Sequence, residues 1–301
     1  MEQERPTSGI LEQALHCEPC TRRHATHFVL CKSGKIRYLI SLQGGAERLT
    51  RSMVAYGGKL ALLMKLLRLL PYRLLSAAHM GFFARAELHP AIQSVIPSAH
   101  EWNMLVGTYW PKQKLVLQCF RKGEPLCAFV KIGNAASAVE MHTEMDFLER
   151  PHHFRLIELP EVLAMRRASE NCPFDLLVSR EFRGGKVEPV LTEDIYRVYQ
   201  ELSSDRRVEN GQTLTLSHGD FAPWNIRKHG ERYIVFDWES CAYRPVGHDA
   251  VHFLTAVYTN LHGLPLPGAI SRAVADIRGF DPDFSIDESA FAKAYLKIMQ
   301  L

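Results

Sequence analysis

The stretch that most restricts what this chain can become runs from Ser217 to Glu239, SHGDFAPWNIRKHGERYIVFDWE. It sets three oxygen-bearing side chains at fixed spacings: Asp220, Asn225 five residues later, and Asp237 twelve beyond that. Asn225 to Lys228 and Arg232 to Phe236 flank His229-Gly230, a turn signal, so the segment reads as a loop, a short hairpin and a strand end. A loop amide and a strand-end carboxylate are hard oxygen donors of the kind that Mg2+ takes together with phosphate oxygens. A further carboxylate near the cation but not on it can accept or orient the proton of an attacking hydroxyl. Taken singly, Asp220 and Asn225 are ordinary turn residues and Asp237 an ordinary strand terminator; taken together, their spacing points to phosphoryl transfer.

The string H-G-D-x-x-x-x-N, followed by three apolar residues and D-W-E, resembles the aminoglycoside phosphotransferase and choline kinase family, small-molecule relatives of the protein kinases. The resemblance implies Asp220 as the catalytic aspartate, Asn225 and Asp237 as magnesium ligands, and His218 as a residue holding the catalytic loop. It implies ATP and Mg2+ as cofactors. It also implies an α+β, bilobal, protein-kinase-like fold, with a small lobe built on a five-stranded antiparallel sheet plus a helix and a mainly helical second lobe. Further on, Asp249 opens a D-x-x-x-F stretch ending at Phe253. By itself it reads as a helix N-cap or first-turn acid; by resemblance it braces the catalytic loop as well.

Upstream, the chain has the pattern of a nucleotide-binding small lobe from about Asn103. MLVGTYW, KLVLQCF and PLCAFVKIG are β-rich runs, with Pro111-Lys112 in the first connection and Lys122-Gly123 in the second, so an antiparallel meander is expected. Gly107-Thr108 is the glycine step of the first turn, where backbone amides would cradle phosphate, although the glycine-rich signature of protein kinases is absent. Lys131 in AFVKIG resembles the strand lysine of kinases that contacts the α- and β-phosphates. The helix-like AASAVEMHTEMDFLER offers it two partners on one face, Glu140 and Glu144. Glu144 is preferred because Leu148 follows in the family's E-x-x-x-L pattern. RLIELPEVLAM and FDLLVSREF would complete the five strands. Arg183-Gly184-Gly185-Lys186 reads as a breaker suited to an interlobe hinge, which would put the backbone from Ser179 to Phe182, Glu181 included, against adenine. TEDIYRVYQEL reads as a helix capped by Thr192, and the region after Asp249 as helices punctuated by Pro265, Pro267 and Asp281-Pro282. The expected division is an α/β extension over 1–102, a small lobe over 103–182 and a helical lobe over 183–301.

The extension carries less information. In its first thirty residues Cys17, Cys20, His24 and His27 are zinc-compatible ligand types, but the loop between the pairs is far shorter than in zinc fingers, and chance clustering is the favoured reading. HFVLCKSGKIRYLISL reads as a hairpin turning at Lys32-Ser33-Gly34-Lys35. From Arg48 to Arg85 there are seven Lys or Arg residues and no acid, around the leucine-rich KLALLMKLLRLL. A helix over 59–75 suits either contact with a membrane surface or docking of the extension onto the kinase lobe. Docking is favoured because surface binding needs a freely exposed helix, and the segment is too short and too charged to span a bilayer.

Composition excludes several classes. The 301 residues are 47% hydrophobic and 23% charged, as in a globular protein, and a formal charge of +3 gives no electrostatic footprint for nucleic acid. Seven cysteines in a chain of this length do not form a secreted disulfide framework, and the first twenty residues lack the apolar run of a secretory signal, so the cytoplasm is the expected location. The acceptor is expected to be a hydroxyl of a small molecule: an aminoglycoside, a sugar or an amino alcohol. Asp281, Asp283, Asp287 and Glu288 could attract a cationic substrate or form a solvated tail; Trp224, Trp238 and Tyr243 could cage a quaternary ammonium or belong to the core. The competing function is a non-catalytic nucleotide-binding pseudokinase or scaffold, associated with a membrane through the basic helix.

Overall fold

In a computed structural model of the chain, residues 9–32, 35–42, 82–107, 112–122, 126–182 and 184–299 are described. Thr108, the hairpin tip Ser33-Gly34 and the whole of the basic segment 59–75 lie outside them. The chain divides into two compact units, one comprising 1–141 with 161–181 and the other 142–160 with 182–301.

The first unit is organised by one antiparallel sheet. Its strands are β1 (Cys17–Cys20), β2 (His27–Lys32), β3 (Lys35–Ser41), β4 (Phe82–Arg85), β5 (Glu101–Val106), β6 (Leu115–Phe120), β7 (Leu126–Gly133), β9 (Val162–Arg166) and β10 (Asp175–Arg180). They lie in the order β1-β4-β2-β3-β5-β6-β7-β10-β9. The five strands expected for the small lobe are the contiguous run β5-β6-β7-β10-β9. Among the described residues the sheet has nine strands rather than five, because the N-terminal hairpin β2-β3 continues it, Tyr38 pairing with Leu105 and Leu39 with Met104, and β4 and β1 extend it beyond β2. The boundary expected between residues 102 and 103 accordingly falls inside β5.

Period-two alternation explains the core. Trp102, Met104 and Val106, then Leu115, Leu117 and Cys119, then Ala128, Val130 and Ile132, and finally Leu176 and Val178 all point to one face, each at most 2% exposed. Helices α1 (Gly9–Leu15) and α2 (Pro90–Val95) supply Leu11, Leu15 and Ile92 to the same cluster. The alternation also puts Lys131 on the face opposite the core, half-buried and paired across the ladder with Val116 and Leu177. Helix α3 (Ala138–Glu149) follows β7 and continues into the second unit.

The second unit packs α4 (Glu193–Leu202), α5 (His248–Asn260), α6 (Leu266–Ile277) and α7 (Glu288–Met299) with two small sheets around a core that includes Phe221, Trp238, Phe253 and Ile270. One sheet runs β11 (Gly185–Lys186), β14 (Ile226–His229), β15 (Arg232–Val235), β8 (Ile157–Glu158). The other runs β12 (Arg206–Glu209), β13 (Gln212–Ser217), β16 (Ala242–Pro245). Helix α4 starts as its sequence requires: Thr192 Oγ1 accepts from the Ile195 amide at 3.3 Å, and Glu193 and Asp194 occupy the first turn. The hairpin read at His229-Gly230 is β14-β15. The division between the two units falls directly before the run read as a breaker, at 181–182. Within it Gly185 and Lys186 pair with Lys228 and Arg227 as a short edge strand, and a Cβ at Gly184 would sit 2.8 Å from Arg227 Cβ.

Candidate active site

The loop from Ser217 to Asn225 is fixed by a buried aspartate. Asp249, in the first turn of α5, is 2% exposed and accepts three hydrogen bonds: from Ser217 Oγ at 2.8 Å, from the His218 amide at 2.7 Å and from the Gly219 amide at 3.1 Å. Burial by itself would push its carboxyl up, but the donors facing it and the neighbouring His248 and His218 hold it well below the usual carboxylate range. Asp249 is thus ionised at any ordinary pH. It braces the loop as the D-x-x-x-F resemblance implies.

His218 is completely buried and its two ring nitrogens have distinct tasks. Nε2 donates to the Phe236 carbonyl at 3.0 Å, which requires its proton, and Nδ1 accepts from the Asp220 amide at 3.2 Å, which requires a lone pair. Only the neutral ring satisfies both. Burial lowers its pKa, against the pull of Asp249 and Asp220, and so keeps it in that form. His218 therefore ties the backbone at Asp220 to the strand end before Asp237.

Asp220 presents its side chain at the surface of this scaffold, 31% exposed. Asn225 Nδ2 donates both to the Asp220 carbonyl and to its Oδ2, each at 2.9 Å. Both amide hydrogens of Asn225 are consumed in this way, leaving its Oδ1 as the atom that can serve a cation. On the other oxygen, His252 Nε2 stands 2.9 Å from Oδ1.

Asp237, two residues beyond β15, has φ 73° and ψ 56°, a left-handed conformation that a non-glycine residue adopts at a cost. The conformation turns the chain into the short helix Trp238–Ser240, in which Trp238 is fully buried, stacks on Phe147 at 4.2 Å and donates its indole N–H to the Val235 carbonyl at 2.9 Å. Trp238 is therefore core, not an aromatic contact for a ligand. Tyr243 is likewise engaged, its hydroxyl donating to Asp205 at 2.8 Å with the Arg207 guanidinium 3.8 Å above its ring. Of the acidic cluster, Asp287 accepts from the Ala290 amide at the start of α7 and Asp281 accepts from the Tyr196 hydroxyl.

Around the Asp237 turn, carboxylate oxygens of Glu144, Asp237 and Glu239 lie within 4.8 Å of one another. Glu144 is 3% exposed and also accepts from the Trp238 amide at 3.2 Å. Three carboxylates this close repel unless a cation or hydrogen-bond donors intervene, and an all-oxygen donor set suits Mg2+. The structure thus adds Glu144 and Glu239 to the neighbourhood of Asp237. Their grouping was not legible beforehand, although Glu239 stands in the D-W-E string. Glu140, the other acid on that helix face, forms an ion pair with Lys112 in the first unit.

Gly107, Lys131 and Glu181 belong to the first unit. The Gly107 amide donates to the Lys114 carbonyl at 2.8 Å, and a Cβ there would meet that carbonyl oxygen at 2.9 Å, so the strand end admits no side chain. Glu181 follows β10, its amide directed to the Cys127 carbonyl at 3.4 Å. At the N-terminus, Cys17, Cys20, His24 and His27 form no metal-sized cluster among the described residues. Both ring nitrogens of His27 are occupied, by Thr26 and the Trp102 carbonyl, and burial raises the Cys17 thiol to about 12, far from thiolate.

Residues 188–282 match the model of the phosphotransferase enzyme family, a span holding every residue of the loop, of the Asp237 turn and of α5 described above. No curated protein matches the sequence. Among solved structures, an aminoglycoside phosphotransferase in ternary complex with ADP and hygromycin B is 10% identical, with 70% of this chain and 87% of that chain covered and a TM-score of 0.45. An amicoumacin kinase in complex with AMP-PNP and Ca2+ is 12% identical over 70% and 83%, TM-score 0.42. A choline/ethanolamine kinase family protein from Mesorhizobium loti is 14% identical over 67% and 88%, TM-score 0.32. The family match bears out the resemblance carried by the H-G-D-x-x-x-x-N string and, with it, the reading of the chain as a phosphotransferase.

Proposed function

We propose that this phosphotransferase moves the γ-phosphoryl group of ATP, bound with Mg2+, to a hydroxyl of a small molecule. The observation that carries the reading is the treatment of Asp220: its backbone and both carboxylate oxygens are held by the protein while the side chain stays partly open to solvent. A carboxylate kept for structure would be buried with its donors, as Asp249 is; one kept for chemistry must remain reachable.

In the proposed reaction the bond from the γ-phosphorus to its bridging oxygen breaks, a bond to the acceptor oxygen forms, ADP leaves, and Asp220 takes the hydroxyl proton and later yields it to solvent. Asn225 and Asp237, with Glu144 and Glu239 beside Asp237, are the residues that would hold Mg2+. Bound there, the ion would neutralise charge on the phosphates. Lys131 is assigned to the α- and β-phosphates, Gly107 and Thr108 to the turn over them, and the backbone near Glu181 to adenine. Most of the acceleration would come from positioning and fixed charge, because phosphoryl transfer asks little covalent chemistry of the protein.

The test has two stages. Mg-ATP is expected to raise the thermal midpoint, since a ligand that binds only folded protein stabilises it by mass action, and EDTA is expected to abolish the shift. ADP release is then followed across aminoglycosides, sugars and amino alcohols. Stabilisation without turnover on any acceptor would favour the pseudokinase reading, and no shift at all would remove both. Among the described residues no helix is long and apolar enough to cross a membrane.

A further inference from the structure

The second donor on Asp220 comes from a residue with no part in the loop motif. His252 lies one helical turn after Asp249 on α5, and its side chain is entirely buried. Its Nε2 is 2.9 Å from Asp220 Oδ1. Its Nδ1 is also buried and has no hydrogen-bond partner among the described residues. A protonated Nδ1 would strand a donor in the core, at a cost of about 1 to 3 kcal/mol, whereas a proton on Nε2 is used at once by the carboxylate. The ring therefore donates from Nε2. Its orientation is set by packing, with Tyr295 of α7 at 5.1 Å and His248, one turn earlier on α5, at 6.1 Å between ring centroids.

We propose that His252 is the positioning residue of Asp220: a buried imidazole that fixes Oδ1 while Asn225 fixes Oδ2, and so sets the plane in which the carboxylate meets the acceptor hydroxyl. The assignment rests on Asp220 being the group that receives the acceptor proton. Its physical basis is that a carboxylate with one donor still turns about its Cβ–Cγ bond, whereas one with a rigid donor on each oxygen does not. The same helix turn does two things: Asp249 grips the loop backbone at Ser217, His218 and Gly219, and His252 grips the side chain that the loop carries. One rigid body thus places both the main chain and the reacting group.

The experiment compares His252→Leu, which removes the donor, with His252→Gln, whose amide can supply one from nearly the same place, and runs Asp220→Asn beside them. Steady-state ADP release is measured with Mg-ATP, to water and to an acceptor found in the screen. His252→Leu is expected to lower kcat about tenfold to a hundredfold, the scale of a misplaced catalytic group, with the KM for ATP and the Mg-ATP thermal shift unchanged. His252→Gln is expected to restore kcat to within about threefold of the parent. Unchanged kcat in the leucine variant, or an equal loss in both variants with nucleotide still bound, overturns the proposal. Should the leucine variant not fold, histidine 15N NMR of the parent and of Asp220→Asn decides. The His252 Nε2 resonance is expected to carry the proton and to move in the variant; an unmoved resonance, or a proton on Nδ1, overturns the assignment. Full turnover in Asp220→Asn would instead refute the role given to Asp220, a result separable from the histidine readouts.

Discussion

In the proposed reaction Asp220 takes a single hydroxyl proton, and the bonds around it leave the work of holding the loop to other groups. The backbone amide goes to His218, the carbonyl and one oxygen to Asn225, the other oxygen to His252, and the heavy task of holding the loop falls to Asp249. Replacing Asp220 by Asn should therefore remove the base without collapsing the loop. We expect kcat to fall by about a hundredfold or more, the scale of lost general-base assistance, with nucleotide binding retained in the thermal shift. Unchanged turnover would show that the proton goes elsewhere. Asp220, Asn225, Asp237 and Asp249 were legible because they sit at fixed offsets within one local segment. His252 was not: its only advance signal was a position three residues after Asp249, on the same face of a helix too apolar to suggest a polar task.

At the scale of the element, the loop depends on a glycine. Gly219 has φ +85°, and a Cβ there would fall 2.2 Å from the Ser240 carbonyl oxygen and 2.8 Å from an Arg244 side-chain nitrogen. Gly230, in the β14-β15 turn, has φ +60° but nothing within 4 Å of the same position. The pair separates conformational strain from collision. Gly230→Ala should cost about 1 to 2 kcal/mol, the left-handed penalty alone. Gly219→Ala adds contact with backbone that cannot move aside, and about 3 kcal/mol or more is expected, together with loss of turnover. Urea midpoints of the two variants check the difference; equal costs would mean that the Ser240 segment yields freely. Elements with strong local signals, such as α4 with its Thr192 cap and the hairpin at Gly230, were read correctly. The short β11 is not legible in sequence because Gly185 and Lys186, following another glycine, carry no strand propensity, and only pairing with β14 makes them a strand.

Over the whole molecule, buried histidines tie stability to pH. His27 is fully buried, donates from Nε2 to the Trp102 carbonyl at 2.9 Å and accepts at Nδ1 from Thr26 Oγ1 at 2.9 Å. Burial lowers its pKa from 6.5 to about 4, opposed by the Trp102 carbonyl and assisted by Arg85. Between those values the unfolded chain binds a proton that the folded chain refuses, so stability falls as pH falls from about 6.5 to about 4 and levels off below. The loss from His27 alone is about 3 kcal/mol, and His218 and His248, both lowered by burial, act in the same direction. Asp249 adds a further loss only below the ordinary carboxylate range, where its charge is finally neutralised. Unfolding by urea across pH 7 to 4 should show the slope, and His27→Gln should flatten it. A variant with the parent's pH dependence would place the proton uptake elsewhere.

The chain's own order of residues determined the loop that carries Asp220, its supporting aspartate and the meander of β5, β6 and β7, since these depend on spacings and alternation within a few tens of residues. Tertiary structure decided which strands lie beside that meander, which histidine meets Asp220, and which acids gather at Asp237. The reason is the same in each case. An alternating strand specifies a buried face but not its neighbour, and a helix face specifies a direction but not what it meets. Hydrogen-bond register joined β3 to β5, and the packing of α5 set His252 beside a carboxylate thirty-two positions earlier in the chain.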